Sequence, residues 1–266
     1  MKFITATSAG LAAALALTGC NSPSQLTFVH MTDSQFGFYD YDLEYQRYKN
    51  AIALINSDND KDEPVFMIMT GDMVNIPTAE HNADFIVASN ELKIPYYVVP
   101  GNHDINAKAE AIELYHDSFG KDYYTFDQDD FRIIVINTNL WKYPQARTAE
   151  FDQWFEQALA NAKEDGKNII VAGHSPIFLK DVNEPEDPYY NIEPNKRMEI
   201  LNLFKKYGVI LYVGGHSHTR IDNEWEGIRF LHAENTSTNF DNRPYGFRMV
   251  YIKDGVVSDK FVPVNQ

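Results

Sequence analysis

Five short clusters carry carboxylate, amide and imidazole donors: Asp33 with Gln35, Gly71-Asp72, Gly101-Asn102-His103-Asp104, Gly173-His174 and Gly215-His216-Ser217-His218. Oxygen and nitrogen donors of these kinds are ligands for divalent transition metals, and cations so held polarise oxygen groups and activate water. Singly, each cluster says little, because Gly-Asp and Gly-Asn-His-Asp are ordinary turn sequences and Gly-His is commonly structural. Their joint order is what carries information: glycine precedes four of the five, and each cluster ends an apolar run of strand length.

Those runs are 26–31, 65–70, 95–99, 168–172 and 209–213. Ligand types delivered at the C-terminal ends of successive strands converge on the edge where open α/β sheets assemble their sites. Between the runs lie helical spacings at 42–56 (Leu43, Tyr45, Tyr48, Ile52, Ile55), 80–90, 108–119, 150–164 and 195–206. A hairpin is expected from 123–126 and 132–138 with its turn at 127–130, and strands alone from 228–232, 247–253 and 256–264. Early βα units followed by hairpins predict an α/β fold of two packed sheets with helices outside. One domain over 26–266 is expected.

The first 19 residues read as an export signal, with Lys2 as the only charge and an apolar stretch at 9–17 too short to span a bilayer. Leu17-Thr18-Gly19-Cys20 resembles the lipobox of bacterial lipoproteins, which implies cleavage before Cys20, lipidation of its sulfur, and a short tether over 20–25. Asn21, rather than Asp, after that cysteine implies the periplasmic face of the outer membrane. Cys20 is the single cysteine, so neither an intrachain disulfide nor a thiolate metal site is available. A formal charge of −15 disfavours nucleic acid and anionic lipid as partners, so a phosphorylated substrate must be attracted locally, by metal ions. A monomer is expected.

In order, the five clusters resemble the motif blocks of calcineurin-like metallophosphoesterases. Within that family the chain most resembles the calcineurin-like phosphoesterase domain-containing protein 1 group, through Asp33-Ser34-Gln35-Phe36-Gly37, Asp187-Pro188-Tyr189-Tyr190-Asn191 and Gly246-Phe247-Arg248. The resemblance implies a helix-flanked β-sandwich and two metals, Mn, Fe or Zn. Asp33, Gln35, Asp72 and His218 would hold one and Asp72, Asn102, His174 and His216 the other, with Asp72 shared. His216 and His218, two apart on an extended segment, face the same side and suit neighbouring metals. The implied reaction is hydrolysis of a phosphomonoester or phosphodiester by a hydroxide bridging the metals, with His103 protonating the leaving oxygen and Asp104 orienting His103.

Two positions depart from the wider family. Gln35 stands where most members have His; its neutral amide oxygen inclines the first site toward Mn. Asn75 stands in place of a common acid and is expected to support the ligands from behind. Arg220 and Arg243, in loops near the last cluster, are candidate substrate contacts, and His30 and His232 are expected to be packed in strands. From another class stands a non-catalytic lipoprotein, a binding or scaffold protein on a degenerate phosphoesterase fold, with Gln35 and Asn75 as its support.

Overall fold

Apolar runs buried on both faces build the central strands of the two sheets of this molecule, seen in a computed structural model that describes residues 24–57, 63–105 and 109–265. The export signal and Cys20 lie outside the described residues. The first sheet comprises β1 (Gln25–Met31), β2 (Met67–Met69), β3 (Tyr96–Val98), β10 (Gly246–Lys253) and β11 (Val256–Pro263), in the order β11-β10-β1-β2-β3. The second comprises β4 (Tyr124–Gln128), β5 (Phe131–Val135), β6 (Asn168–Ala172), β7 (Val209–Gly214), β8 (Ile221–Trp225) and β9 (Ile228–His232), in the order β4-β5-β6-β7-β9-β8. Parallel pairing of β1-β2-β3 and of β5-β6-β7-β9 directs their C-terminal ends the same way within each sheet.

Side-chain alternation along each strand sorts the core into three layers. Leu26 and Phe28 meet Phe66, Ile170, Leu211 and Val213 between the sheets. The opposite face of the first sheet, with Val29, Met31, Met67 and Met69, packs on α1 (Tyr41–Ser57), α2 (Ala79–Ser89) and α3 (Ala109–Phe119). Ile169, Val171 and Tyr212 pack on α4 (Asn139–Lys142), α5 (Thr148–Glu164) and α6 (Pro194–Tyr207). The helices end as their sequences dictate: the Thr78 hydroxyl accepts from His81 N at the start of α2, and α6 opens on Glu193-Pro194 and closes on left-handed Gly208.

Three differences from the sequence expectation have physical reasons. The first hairpin turns on Asp129-Asp130 alone, because Asp127 and Gln128 pair across with Arg132 and Phe131 and left-handed Asp129 permits a two-residue turn. β8 carries Asp222, Asn223 and Glu224 and lacks an apolar run; it is an edge strand whose acids face solvent and Arg229. α4, a single turn, is too short to show a period.

Candidate metal centre

The loops that follow β1, β2, β3, β6 and β7 come together at one end of the sandwich, held by main-chain bonds. Asp33 N donates to Gly71 O (3.0 Å), Gln35 N to Asp72 O (2.9 Å), Asn75 N to Phe36 O (3.0 Å) and Gly215 N to His174 O (2.8 Å). Gly71 has φ +93°, and a Cβ there would press on His174 Nδ1 and Gly101 Cα, so the motif glycine is required by conformation and by space. Asp33, Gln35, Asp72, His216 and His218 also adopt positive φ, between 42° and 70°. Such backbone is costly for residues with a Cβ and concentrates at functional sites.

Hydrogen bonds aim each donor. Asp33 Oδ2 accepts from Thr32 Oγ1 and from His216 N (3.0 Å), while Asp33 Oδ1 has no hydrogen-bond donor and lies 3.4 Å from His218 Nε2. Gln35 Oε1 is likewise buried without a donor. Asp72 Oδ1 accepts from His103 N (2.8 Å), and its Oδ2 lies 3.3 Å from His174 Nε2, which is also 3.1 Å from Asn102 Oδ1. A carbonyl can only accept, so it identifies the protonated nitrogen of a neutral ring. Thr70 O takes His174 Nδ1 (2.7 Å), Thr238 O takes His218 Nδ1 (2.7 Å) and Tyr189 O takes His216 Nε2 (2.7 Å). The ring atoms left with a lone pair are therefore Nε2 of His174 and His218 and Nδ1 of His216.

Ligand atoms of buried Asp72, His174 and His216 all lie within 4.8 Å of one another. Together with the orphaned oxygens of Asp33 and Gln35, they fit a cation-holding centre made of carboxylate, amide and imidazole without sulfur, a donor set suited to Mn, Fe or Zn. The electrostatics agree. Burial alone would raise the Asp72 and Asp33 carboxyls, but the imidazoles of His174 and His218 hold both below the usual range. Burial opposes charge on His174, yet Asp72 and Asp33 push its pKa up to about 9. His216 is pushed down to about 3 by burial and then by His174. Two buried carboxylates thus draw positive charge into this point of the molecule.

The other expected residues fall as follows. His103 Nδ1 meets Asn75 O (2.9 Å), which fixes the ring from its Nδ1 side. Asp104 does not orient that ring: its carboxylate accepts from the amides of Asp72 (2.7 Å), Gly101 (2.8 Å) and Met73 (2.9 Å), pinning two ligand loops together. Burial and then the Asp72 charge push the Asp104 carboxyl up to about 7. The Asn75 side chain donates to Gly37 O (3.0 Å), tying its loop to the one that follows β1. Arg220 pairs with Asp222 (2.6 Å) and Arg243 with Asp241 (3.0 Å) and Glu234 (3.5 Å), so ion pairs replace the expected phosphate contacts. His30 and His232 are packed in strands and fully buried, with burial lowering their pKa to about 3 and about 4.

Sequence reasoning missed the struts behind the ligands. Lys142 Nζ, on α4, donates to Tyr189 O (2.6 Å), the same carbonyl that fixes His216, and to Asn191 O (2.9 Å). Asn139 Nδ2 donates to Gly101 O (3.2 Å), and Thr138 Oγ1 accepts from Ser175 N (3.1 Å), so the segment entering and forming α4 touches two ligand loops, those after β3 and β6. In the acidic segment 181–190, Glu184 accepts from the amides of Leu179, Lys180 and Asp181, and Asp187 from those of Tyr189 and Tyr190.

With these loops gathered at one end of a two-sheet sandwich, residues 26–220 match a family described as calcineurin-like phosphoesterase. The chain belongs to that family. It is similar to the human serine/threonine-protein phosphatase CPPED1, 26% identical over 234 residues that cover 83% of this chain and 74% of that protein. It is also similar to the 3',5'-cyclic adenosine monophosphate phosphodiesterase CpdA of Escherichia coli K12, 23% identical over 71% of this chain and 67% of that one. Among solved structures, a dimetal phosphatase from Danio rerio shares the fold, with a TM-score of 0.60 at 13% identity over 90% of this chain and 99% of that one. This calcineurin-like phosphoesterase is accordingly a metal-dependent hydrolase of ester bonds.

Proposed function

We propose that this phosphoesterase holds two metal ions, one by Asp33, Gln35, Asp72 and His218 and the other by Asp72, Asn102, His174 and His216, and hydrolyses phosphomonoesters or phosphodiesters in the cell envelope. The carrying observation is the pair of buried, donor-less oxygens on Asp33 and Gln35 beside the Asp72-His174-His216 group, because polar atoms left unsatisfied in a core require a ligand to offset their burial. When bound, the metals supply positive charge for the phosphoryl oxygens and lower the pKa of water. Gln35, a neutral amide, makes the first site the weaker and more Mn-like.

The chain's own residues do the rest. His103, positioned through Nδ1 by Asn75 O, delivers a proton from Nε2 to the departing oxygen. Asp104 keeps Asp72 and Gly101 in register, so that the shared carboxylate and Asn102 keep their aim. The non-catalytic reading loses its support, since Gln35 presents an unpaired oxygen at the centre and Asn75 ties its loop to Gly37.

Metal content measured with turnover of p-nitrophenyl phosphate and bis-p-nitrophenyl phosphate tests this. Metal uptake with hydrolysis, both lost in Asp72→Ala, supports it; full activity in Asp72→Ala, or no uptake of Mn, Fe or Zn, overturns it. The ratio of the two rates assigns monoester or diester. The envelope location rests on Leu17-Thr18-Gly19-Cys20, with Cys20 as lipid anchor on the periplasmic face of the outer membrane. Cys20→Ser should move the protein out of the membrane fraction, and unchanged retention would remove the anchor.

A further inference from the structure

Aromatic rings flank the centre on both sides. Beside His218, of the first donor set, Phe240 stacks at 4.6 Å and 12° and Phe38 lies at 5.5 Å, with Tyr39 edge-on to Phe38 at 4.6 Å. Beside His216, of the second, stand Tyr189 at 4.8 Å and Tyr190 at 5.7 Å. Backbone bonds fix both walls: Phe240 N donates to His218 O (2.7 Å), and Tyr189 O is the acceptor for His216 and Lys142.

These rings are open to solvent. Tyr39 is 75% exposed, Tyr189 49% and Phe240 48%. Large exposed aromatics gathered at one place mark a binding surface, since each leaves apolar area wet that folding elsewhere buries. Charged side chains of the neighbouring loops are engaged with their own partners. Arg220 and Arg243 sit in ion pairs, Lys142 is bound to two carbonyls, and Glu184 and Asp187 cap their own loop. A second phosphate or a carboxylate on the substrate would have to compete with those pairings. An uncharged flat ring would find two walls.

Resting on the phosphoesterase reading, we propose that the substrate is a phosphoester whose organic part presents a flat, uncharged ring, taken against Phe38, Tyr39 and Phe240 on one side or Tyr189 and Tyr190 on the other. The phosphate goes to the metals, and the ring supplies selectivity. Stacking on such side chains favours a ring-bearing ligand by about tenfold over an alkyl one of equal charge.

Binding of benzylphosphonate and ethylphosphonate to the manganese-loaded full chain, followed by calorimetry, isolates the ring because the two probes share one headgroup. The expected result is about tenfold tighter binding of benzylphosphonate, falling toward parity in Tyr39→Ala or in Tyr189→Ala. Both tyrosines are exposed, so both variants should fold; the Tyr189 ring also packs on His216 and its side chain hydrogen-bonds Asn102, so Tyr189→Ala is titrated at saturating manganese and the ratio of the two probes is what is read. Equal affinities in the unaltered protein, binding of neither probe, or a preference that survives in both variants would overturn the proposal. Hydrolysis without ring preference would sink this proposal and leave the phosphoesterase reading standing. Ring-selective binding without hydrolysis of any ester would overturn the phosphoesterase reading, and with it the claim that the ring-bearing ligand is a substrate.

Discussion

At the scale of single residues, orientation comes from backbone carbonyls. His103 is turned by Asn75 O and His216 by Tyr189 O, and neither acceptor is a side chain. For His103 the consequence is a leaving-group test. His103→Asn should slow esters of alkyl alcohols by about a hundredfold or more and p-nitrophenyl phosphate by less than about tenfold, because nitrophenolate departs without a proton. Equal losses on both would remove the acid role. For His216 the test is Lys142, whose pKa burial lowers to about 8 and whose ammonium holds Tyr189 O from behind. Lys142→Met should weaken metal affinity by about tenfold, as loss of a group supporting a ligand does, with Lys142→Arg recovering part of it. Isothermal titration with Mn at unchanged circular dichroism reads this, and unaltered affinity in the Met variant would reduce Lys142 to a loop tie.

At the scale of elements, the five clusters are legible because each follows a strand and the longer helices between them have their period. What stayed hidden has one cause: main-chain acceptors and one-turn helices leave no pattern in side-chain types. Hence Asp104 reads as a partner of His103 when it serves the amides of Asp72, Gly101 and Met73, and α4 was unseen although its segment touches two ligand loops. The joint among α3, β4, β5 and α5 was hidden for a related reason, since its members are far apart in sequence. There Asp122 accepts from Arg147 (2.8 Å), Asn137 (2.7 Å) and His116 (3.1 Å). Burial would raise its carboxyl, but Arg147 and Asn137 bring it below the usual range. A depressed carboxyl contributes stability above the unfolded pKa of about 3.9 and loses it as pH falls through the folded value. Asp122→Asn should cost about 2 kcal/mol at pH 7 and flatten the acid limb of the stability curve below about pH 4. Urea midpoints at pH 7 and pH 3 measure both, and an equal difference at the two pH values would refute the linkage.

At the scale of the whole molecule, a centre that gathers two carboxylates in the core of a chain with formal charge −15 is stabilised by cations. Ligand linkage predicts that saturating Mn adds about 3–4 kcal/mol at a hundred to a thousand times the dissociation constant. For a domain of this size that raises Tm by about 10 °C, and a chelator should reverse it. Asp72→Ala should show almost no such shift in a thermal scan.

The left-handed backbone of Asp33, Gln35, Asp72, His216 and His218 bears on when a metal can be captured. Each such conformation is disfavoured by about 1 kcal/mol in a free chain, so the donors rarely align before the sheets impose them. An unfolded copy is thus a poor chelator: it would pass through a mixture of ions without trapping one, and selection among them is left to the finished cavity.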